Sequence, residues 1–143
     1  MPSEAAASAA ADAPGPSLVR KLGIRPGDVV ALVGAPPGWE VGGLPEGARL
    51  RRGSRGSADV VVAFLRRAAE LETVLPRAVA HLGPGDALWL AWPRKAAGHA
   101  SDLGDDVVRR AGLAAGLVDV KVAALGEDWS GLRFVFRRRD RRS

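Results

Sequence analysis

Three stretches of the chain are apolar without alternation: residues 29–33, 58–65, broken only by Asp59 at its start, and 87–92. A strand buried on both faces reads this way, as strands do inside a parallel sheet. Two later stretches, 117–125 and 131–138, alternate instead. Val118, Val120 and Val122 oppose Asp119 and Lys121, while Leu132, Phe134 and Phe136 oppose Arg133, Val135 and Arg137. Half-buried alternation after fully buried strands predicts an antiparallel pair at one edge of the sheet. A weak strand is expected at 48–52.

Helical spacing fills the intervals. Ser17 is placed to cap a short helix over 18–22, which Gly23 ends. Residues 68–82 put Leu71, Val74, Leu75, Ala78 and Leu82 on one face. Pro76 inside this helix predicts a kink, or two helices with Pro76 in a first turn. Residues 102–115 form another helix, with Ser101 or Asp102 as cap, acids in the first turn and Gly116 as the stop. Segment 34–47, with Pro36, Pro37, Gly38, Gly42, Gly43 and Pro45, is loop.

The order predicts an α/β fold: a Rossmann-like, mostly parallel sheet flanked by helices in three layers, with an antiparallel C-terminal edge pair. One constraint conflicts with it. Only residues 53–57 separate the weak strand from the next, and a parallel crossover takes a dozen or more. The weak strand is therefore expected to be antiparallel, very short or absent.

Length and composition agree with one domain. The 143 residues suit a single core, expected at 17–138, between a disordered tail at 1–16 and a basic tail at 139–143. The chain has no cysteine, which excludes disulfides, thiolate metal sites and a cysteine nucleophile. No apolar run approaches the roughly 20 residues that span a bilayer. The N-terminus is a poor signal sequence, so a cytoplasmic location without membrane association is expected.

The net charge of +5 lies at one end, because residues 133–143 carry six arginines against Asp140. Arg137, Arg138, Arg139, Arg141 and Arg142 make a weak candidate surface for nucleic acid or, more simply, a solvated end. Arg49, Arg51, Arg52 and Arg55 form a second cluster.

The run Ala58-Asp-Val-Val-Val-Ala-Phe64, the helix after it, Leu82-Gly-Pro-Gly85 and Ala87-Leu-Trp-Leu90 resemble the second half of a class I methyltransferase, as does Ala114-Ala-Gly-Leu-Val-Asp-Val-Lys121 before a last strand. More closely, the chain resembles a bacterial domain-of-unknown-function family, number 3052. The residues that carry this likeness are Lys21-Leu-Gly-Ile-Arg-Pro-Gly27, Ala35-Pro-Pro-Gly-Trp39, Trp92-Pro-Arg-Lys95, Ser101-Asp-Leu103, Asp106-Val-Val-Arg109, Gly116-Leu-Val-Asp-Val-Lys121 and Trp129-Ser-Gly-Leu-Arg-Phe134. The resemblance implies a truncated methyltransferase-like fold and no particular activity.

The cofactor features of that fold are missing from the sequence. A glycine-rich turn should follow the first strand and open a helix. Here Pro36 and Pro37 remove two N–H donors. Where an acid should hold ribose hydroxyls, the chain has Arg51, Arg52 and Gly53. S-adenosylmethionine binding is not expected, and no cofactor or metal is implied. His81 reads as a partly exposed helix-end residue and His99 as a loop residue, with no ligand spacing between them. Ser101 and Ser130 lack a nucleophile-elbow setting. Asp102, Asp105 and Asp106 read as helix-opening acids.

Four tryptophans stand out beside three phenylalanines and no tyrosine. Trp89, inside a buried strand, reads as core. Trp39, Trp92 and Trp129 lie in or beside loops, where they either plug the space of the missing cofactor helix or line a ligand platform. A small ligand would sit over the carboxyl ends of the strands, bordered by Trp39, Arg66, Trp92, Arg94, Lys95, Ser101 and Asp102. Three functions follow. One is a non-catalytic, degenerate methyltransferase-like domain that binds a partner or small ligand. Another is a small enzyme acting on an anionic metabolite through Arg66, Arg94, Lys95 and Asp102. The third is a nucleic-acid accessory protein that uses the arginine-rich C-terminus.

Overall fold

The computed structural model describes residues 18–53, 56–83, 85–94 and 101–136. Helix α1 (Leu18–Leu22) leads into β1 (Val29–Val33), β2 (Arg49–Arg52) and β3 (Val60–Phe64). A 3-10 turn at Ala68–Glu70 runs into α2 (Leu71–Val79), and β4 (Ala87–Pro93), α3 (Asp105–Ala114), β5 (Leu117–Ala124) and β6 (Trp129–Phe136) follow. The six strands form one sheet in the order β2-β1-β3-β4-β6-β5. Strands β2, β1, β3 and β4 are parallel; β6 is antiparallel to both β4 and β5. The mostly parallel α/β sheet with an antiparallel C-terminal edge pair is therefore present.

Unbroken apolar strands are buried on both faces because each face has its own core. Every residue of β3 is buried. Toward α2 and α3, Val61, Ala63, Leu88, Leu90, Leu132 and Phe134 pack with Leu71, Leu75 and Val108. On the opposite face Val30, Leu32, Val62, Phe64 and Trp89 pack with Leu22 of α1 and Val41 of the 34–48 segment. Among the described residues this second layer is thin: one short helix and a loop stand where doubly wound sheets carry helices. Burial of Trp89 agrees with its reading as core.

The weak strand takes the very short option, with four residues, but it is parallel to β1. Strand β3 lies on the other side of β1, so residues 53–59 both cross β1 and return. A four-residue strand is about 13 Å long, and seven extended residues reach about 23 Å. No helix is needed. The returning chain is held by α2's end: the Ala58 N–H donates to His81 O at 3.3 Å, and the His81 ring bonds Gly56 O. His81 is consequently buried, not the partly exposed residue expected.

Three further expectations change. Helix α3 starts at Asp105 with Gly104 as its N-cap, not at Ser101 or Asp102. Pro76 lies within the single helix α2 and does not begin a second one. The regular alternation of β5 breaks at a bulge between Asp119 and Lys121. Asp119 and Val122 thereby share the α3 face with Phe134 and Leu132, while Val118 and Lys121 share the other face with Val135 and Arg133. The expected cap Ser17, both terminal tails and His99 lie outside the described residues.

Candidate functional site at the carboxyl ends of the strands

The connections from β1 run to β2 on one side, and β3 lies on the other. The carboxyl ends of β1 and β3 therefore flank the point where an open α/β sheet binds its ligands. An open cleft of about 520 Å³ lies there, lined by Pro36, Pro37, Trp39, Arg66, Glu127 and Trp129 among others. Its volume suits a small molecule.

Aromatic rings form the floor. Phe64, the last residue of β3, meets the Trp39 ring at 4.8 Å and the Trp129 ring at 4.9 Å, both edge to face. Arg66 lies over Trp129, its guanidinium carbon 5.6 Å from the ring centroid. The side chain also donates to Gly34 O at 3.2 and 3.3 Å, spanning the ends of β3 and β1.

The other polar side chains tie loops to one another. Asp102 accepts from the Ala68 N–H at 2.8 Å. The Ser101 hydroxyl donates to Arg66 O at 3.0 Å and accepts from the Leu103 N–H. Arg94 donates to Glu127 O at 3.2 Å, and its N–H to Asp128 O. Glu70 accepts from the N–H groups of Arg66 and Arg67; these bonds and the two arginine charges hold its carboxyl below the ordinary range, against the opposing effect of burial. The segments that follow β1, β3 and β4 on this edge are thereby tied to their neighbours.

Of the expected site residues, the structure brings Trp39 and Arg66 into the cleft. Ser101 and Asp102 lie beside the segment 66–68 and serve as its struts. Arg94 supports the 127–128 turn. Trp92 is buried in the core on the α2 and α3 side, beneath a separate hollow of about 330 Å³. It does not meet Trp39. Lys95 and the arginines from Arg137 to Arg142 lie outside the described residues. Trp129 replaces Trp92 as the second tryptophan of the cleft. The signal for this is parity: Trp89 and Trp92 are an odd number of residues apart and so face opposite ways, while Trp129 pairs with Pro93 on the Trp89 side.

The resemblance to methyltransferases raises S-adenosylmethionine, and the residues do not fit it. No helix follows β1. A Cβ at Gly34 would stand 3.2 Å from Phe64 O, so this turn serves close contact between β1 and β3. The end of β2 offers Arg52, bound to Trp39 O at 2.8 Å, in place of an acid. Among the described residues no group of three or more His, Cys, Asp or Glu could hold a metal ion, and no helix is long and apolar enough to cross a membrane.

Solved structures confirm the fold. The chain is similar to the ribosomal protein L11 methylase of Lactobacillus delbrueckii subsp. bulgaricus, with 14% identity, a TM-score of 0.54, and coverage of 84% of this chain and 75% of that one. It is also similar to the M1A22 tRNA methyltransferase TrmK of B. subtilis, with 16% identity, a TM-score of 0.51, and coverage of 89% and 68%. No curated protein matches the sequence. Residues 47–138 match the model of a family described as "Protein of unknown function (DUF3052)", and on that match the chain belongs to this family of methyltransferase-like fold.

Proposed function

We propose that the protein is a non-catalytic, degenerate methyltransferase-like domain that binds a small ligand or a segment of a protein partner in the cleft between the ends of β1 and β3. The observation that carries this reading is the use of Arg66, Arg94, Ser101 and Asp102 as loop struts, each bonded to backbone. Groups fixed in this way hold the cleft's shape and are not free for proton transfer. A cleft with an aromatic floor, proline beside it and three charged residues, Arg66, Glu127 and Asp128, has the make-up of a binding site. Catalysis on an anionic metabolite loses three of its proposed participants, Arg66, Arg94 and Asp102, to structural bonds. The absence of cysteine supports a cytoplasmic setting.

The test is calorimetry with S-adenosylmethionine, alongside thermal-shift measurements with nucleotides, sugar phosphates and proline-rich peptides. The reading expects no S-adenosylmethionine binding at micromolar concentration. It expects any stabilising ligand to perturb the indole N–H resonances of Trp39 and Trp129. Micromolar S-adenosylmethionine binding, or methyl transfer from it, overturns the reading.

A further inference from the structure

Among the described residues, no helix lies on the α1 face of the sheet beyond β4. On β6, Arg133 lies directly between Trp89 of β4 and Lys121 of β5, all three on this face. Val135 and Val118 form the neighbouring pair along the same two strands and are half-buried. Helix α1 stops short of them. Its last residue receives a 3.3 Å hydrogen bond from Trp89 Nε1, and Lys21 reaches only to Ala124 O at the strand end.

Two features of this patch are costly as they stand. Arg133 Nε is shielded from solvent and has no hydrogen-bond partner. Burial pushes the Arg133 guanidinium below its ordinary range, with no carboxylate acting in the other direction. An unsatisfied, partly desolvated donor of this kind costs free energy. Moreover, like charges directly opposite on neighbouring strands repel, and Lys121 stands opposite Arg133. Arg51 Nε is likewise shielded and without a partner, but another cation shows the contrasting arrangement. Arg109, on the opposite face, is matched by Asp105, Asp106 and Asp119.

We propose that this open face of the β5–β6 hairpin is a docking surface for an acidic, aliphatic segment of a partner protein. A carboxylate of that segment sits between the outer end of the Arg133 guanidinium and Lys121 and relieves their repulsion, while its aliphatic residues cover Val118 and Val135. The pattern favours a peptide over nucleic acid. Two cations set beside two half-buried valines match an isolated carboxylate on an apolar strand or helix. A phosphate backbone instead needs a row of cations.

The experiment is an NMR titration of the full chain, reading the Arg133 Nε–H resonance and the methyls of Val118 and Val135. The probes are a capped peptide of alternating leucine and glutamate, its leucine and glutamine counterpart, and an oligothymidine. The acidic peptide is expected to shift all three signals saturably, and the glutamine peptide to bind about tenfold more weakly, as loss of a charge-assisted hydrogen bond predicts. Arg133→Gln should remove binding. Because this change touches the sheet, Lys121→Gln, at an exposed position, is the second variant, and it should weaken binding without altering the fold. The proposal fails if the glutamine peptide binds equally well, if oligothymidine moves the same signals, or if millimolar acidic peptide moves none. It also fails if removing residues 2–16 alone shifts the same three signals, which would make the chain's own N-terminus the occupant.

Discussion

Arg66 reaches from the end of β3 to the carbonyl oxygen of Gly34 at the end of β1, with both terminal nitrogens within 3.3 Å of it. This one side chain crosses the point where the fold would admit a ligand, and it stacks on Trp129 as it does so. Arg66→Ala is expected to cost about 1 kcal/mol or less, because the bonds are long and the residue is exposed. It should also widen the cleft and alter Trp129 fluorescence. Urea unfolding and emission spectra check both; a loss several times larger would make Arg66 a core support.

Gly112 of α3 and Phe134 of β6 meet at very short range. A Cβ at Gly112 would stand 2.2 Å from the phenylalanine ring. Gly112→Ala should therefore destabilise the domain by about 1–3 kcal/mol through overpacking, despite alanine's better helix propensity. Phe134→Leu in the same chain should recover part of the loss. A neutral Gly112→Ala in thermal unfolding would show that α3 can lift off the sheet freely.

The strut at Asp102 is separable from chemistry. Asp102→Ala removes the acceptor for the Ala68 N–H and should cost about 0.5–2 kcal/mol, as losing a helix cap does. Asp102→Asn keeps an acceptor oxygen and should recover most of that stability. If a ligand for the cleft is found, the asparagine variant should bind it nearly as well as the parent.

Two carboxyls give opposing acid responses. Burial, and repulsion from Asp59 and Asp28, push Asp86 above its ordinary value of 3.8 despite the bond from the Gly83 N–H. The native state holds that proton more tightly than the unfolded chain does. The stability from this group is complete below 3.8 and is lost as pH rises through the elevated value. Glu70 behaves oppositely: its contribution is present above its ordinary 4.5 and is lost as pH falls. Asp86→Asn should make the domain relatively more stable at neutral pH than at pH below 3.8, and Glu70→Gln should flatten the acid-side loss. Urea midpoints across the acid range read both slopes.

The sheet was legible in the sequence where burial acts on whole strands. Residues 29–33, 58–65 and 87–92 could be read as strands from their apolar runs, with the second trimmed to 60–64 past Asp59, because a strand covered on both faces tolerates almost no polar side chain. The hairpin was legible for the complementary reason. The stitching of the carboxyl edge was not. Arg66, Arg94, Ser101 and Asp102 bond to backbone more than thirty positions away in the chain, and a backbone carbonyl has no sequence signature. The bulge at Val120 was equally hidden, since valine suits either face of a strand. Trp92 was misplaced for want of a parity argument that the sequence did contain.

That bulge has a consequence for the molecule in a crowded solution. Strand β5 is the outer strand of the sheet, it is eight residues long, and its Val120 and Val122 are half-exposed. A flat apolar border of that length would template the strands of other molecules and lead to aggregation. The extra residue interrupts the row of backbone donors and acceptors midway, while the exposed Lys121 beside it adds a charge. The opposite border, β2, is only four residues long, and three of them are arginines. Removing Val120, so that Asp119 and Lys121 become adjacent, should restore a continuous ladder. The prediction is a protein that still folds but loses solubility at concentrations the parent tolerates.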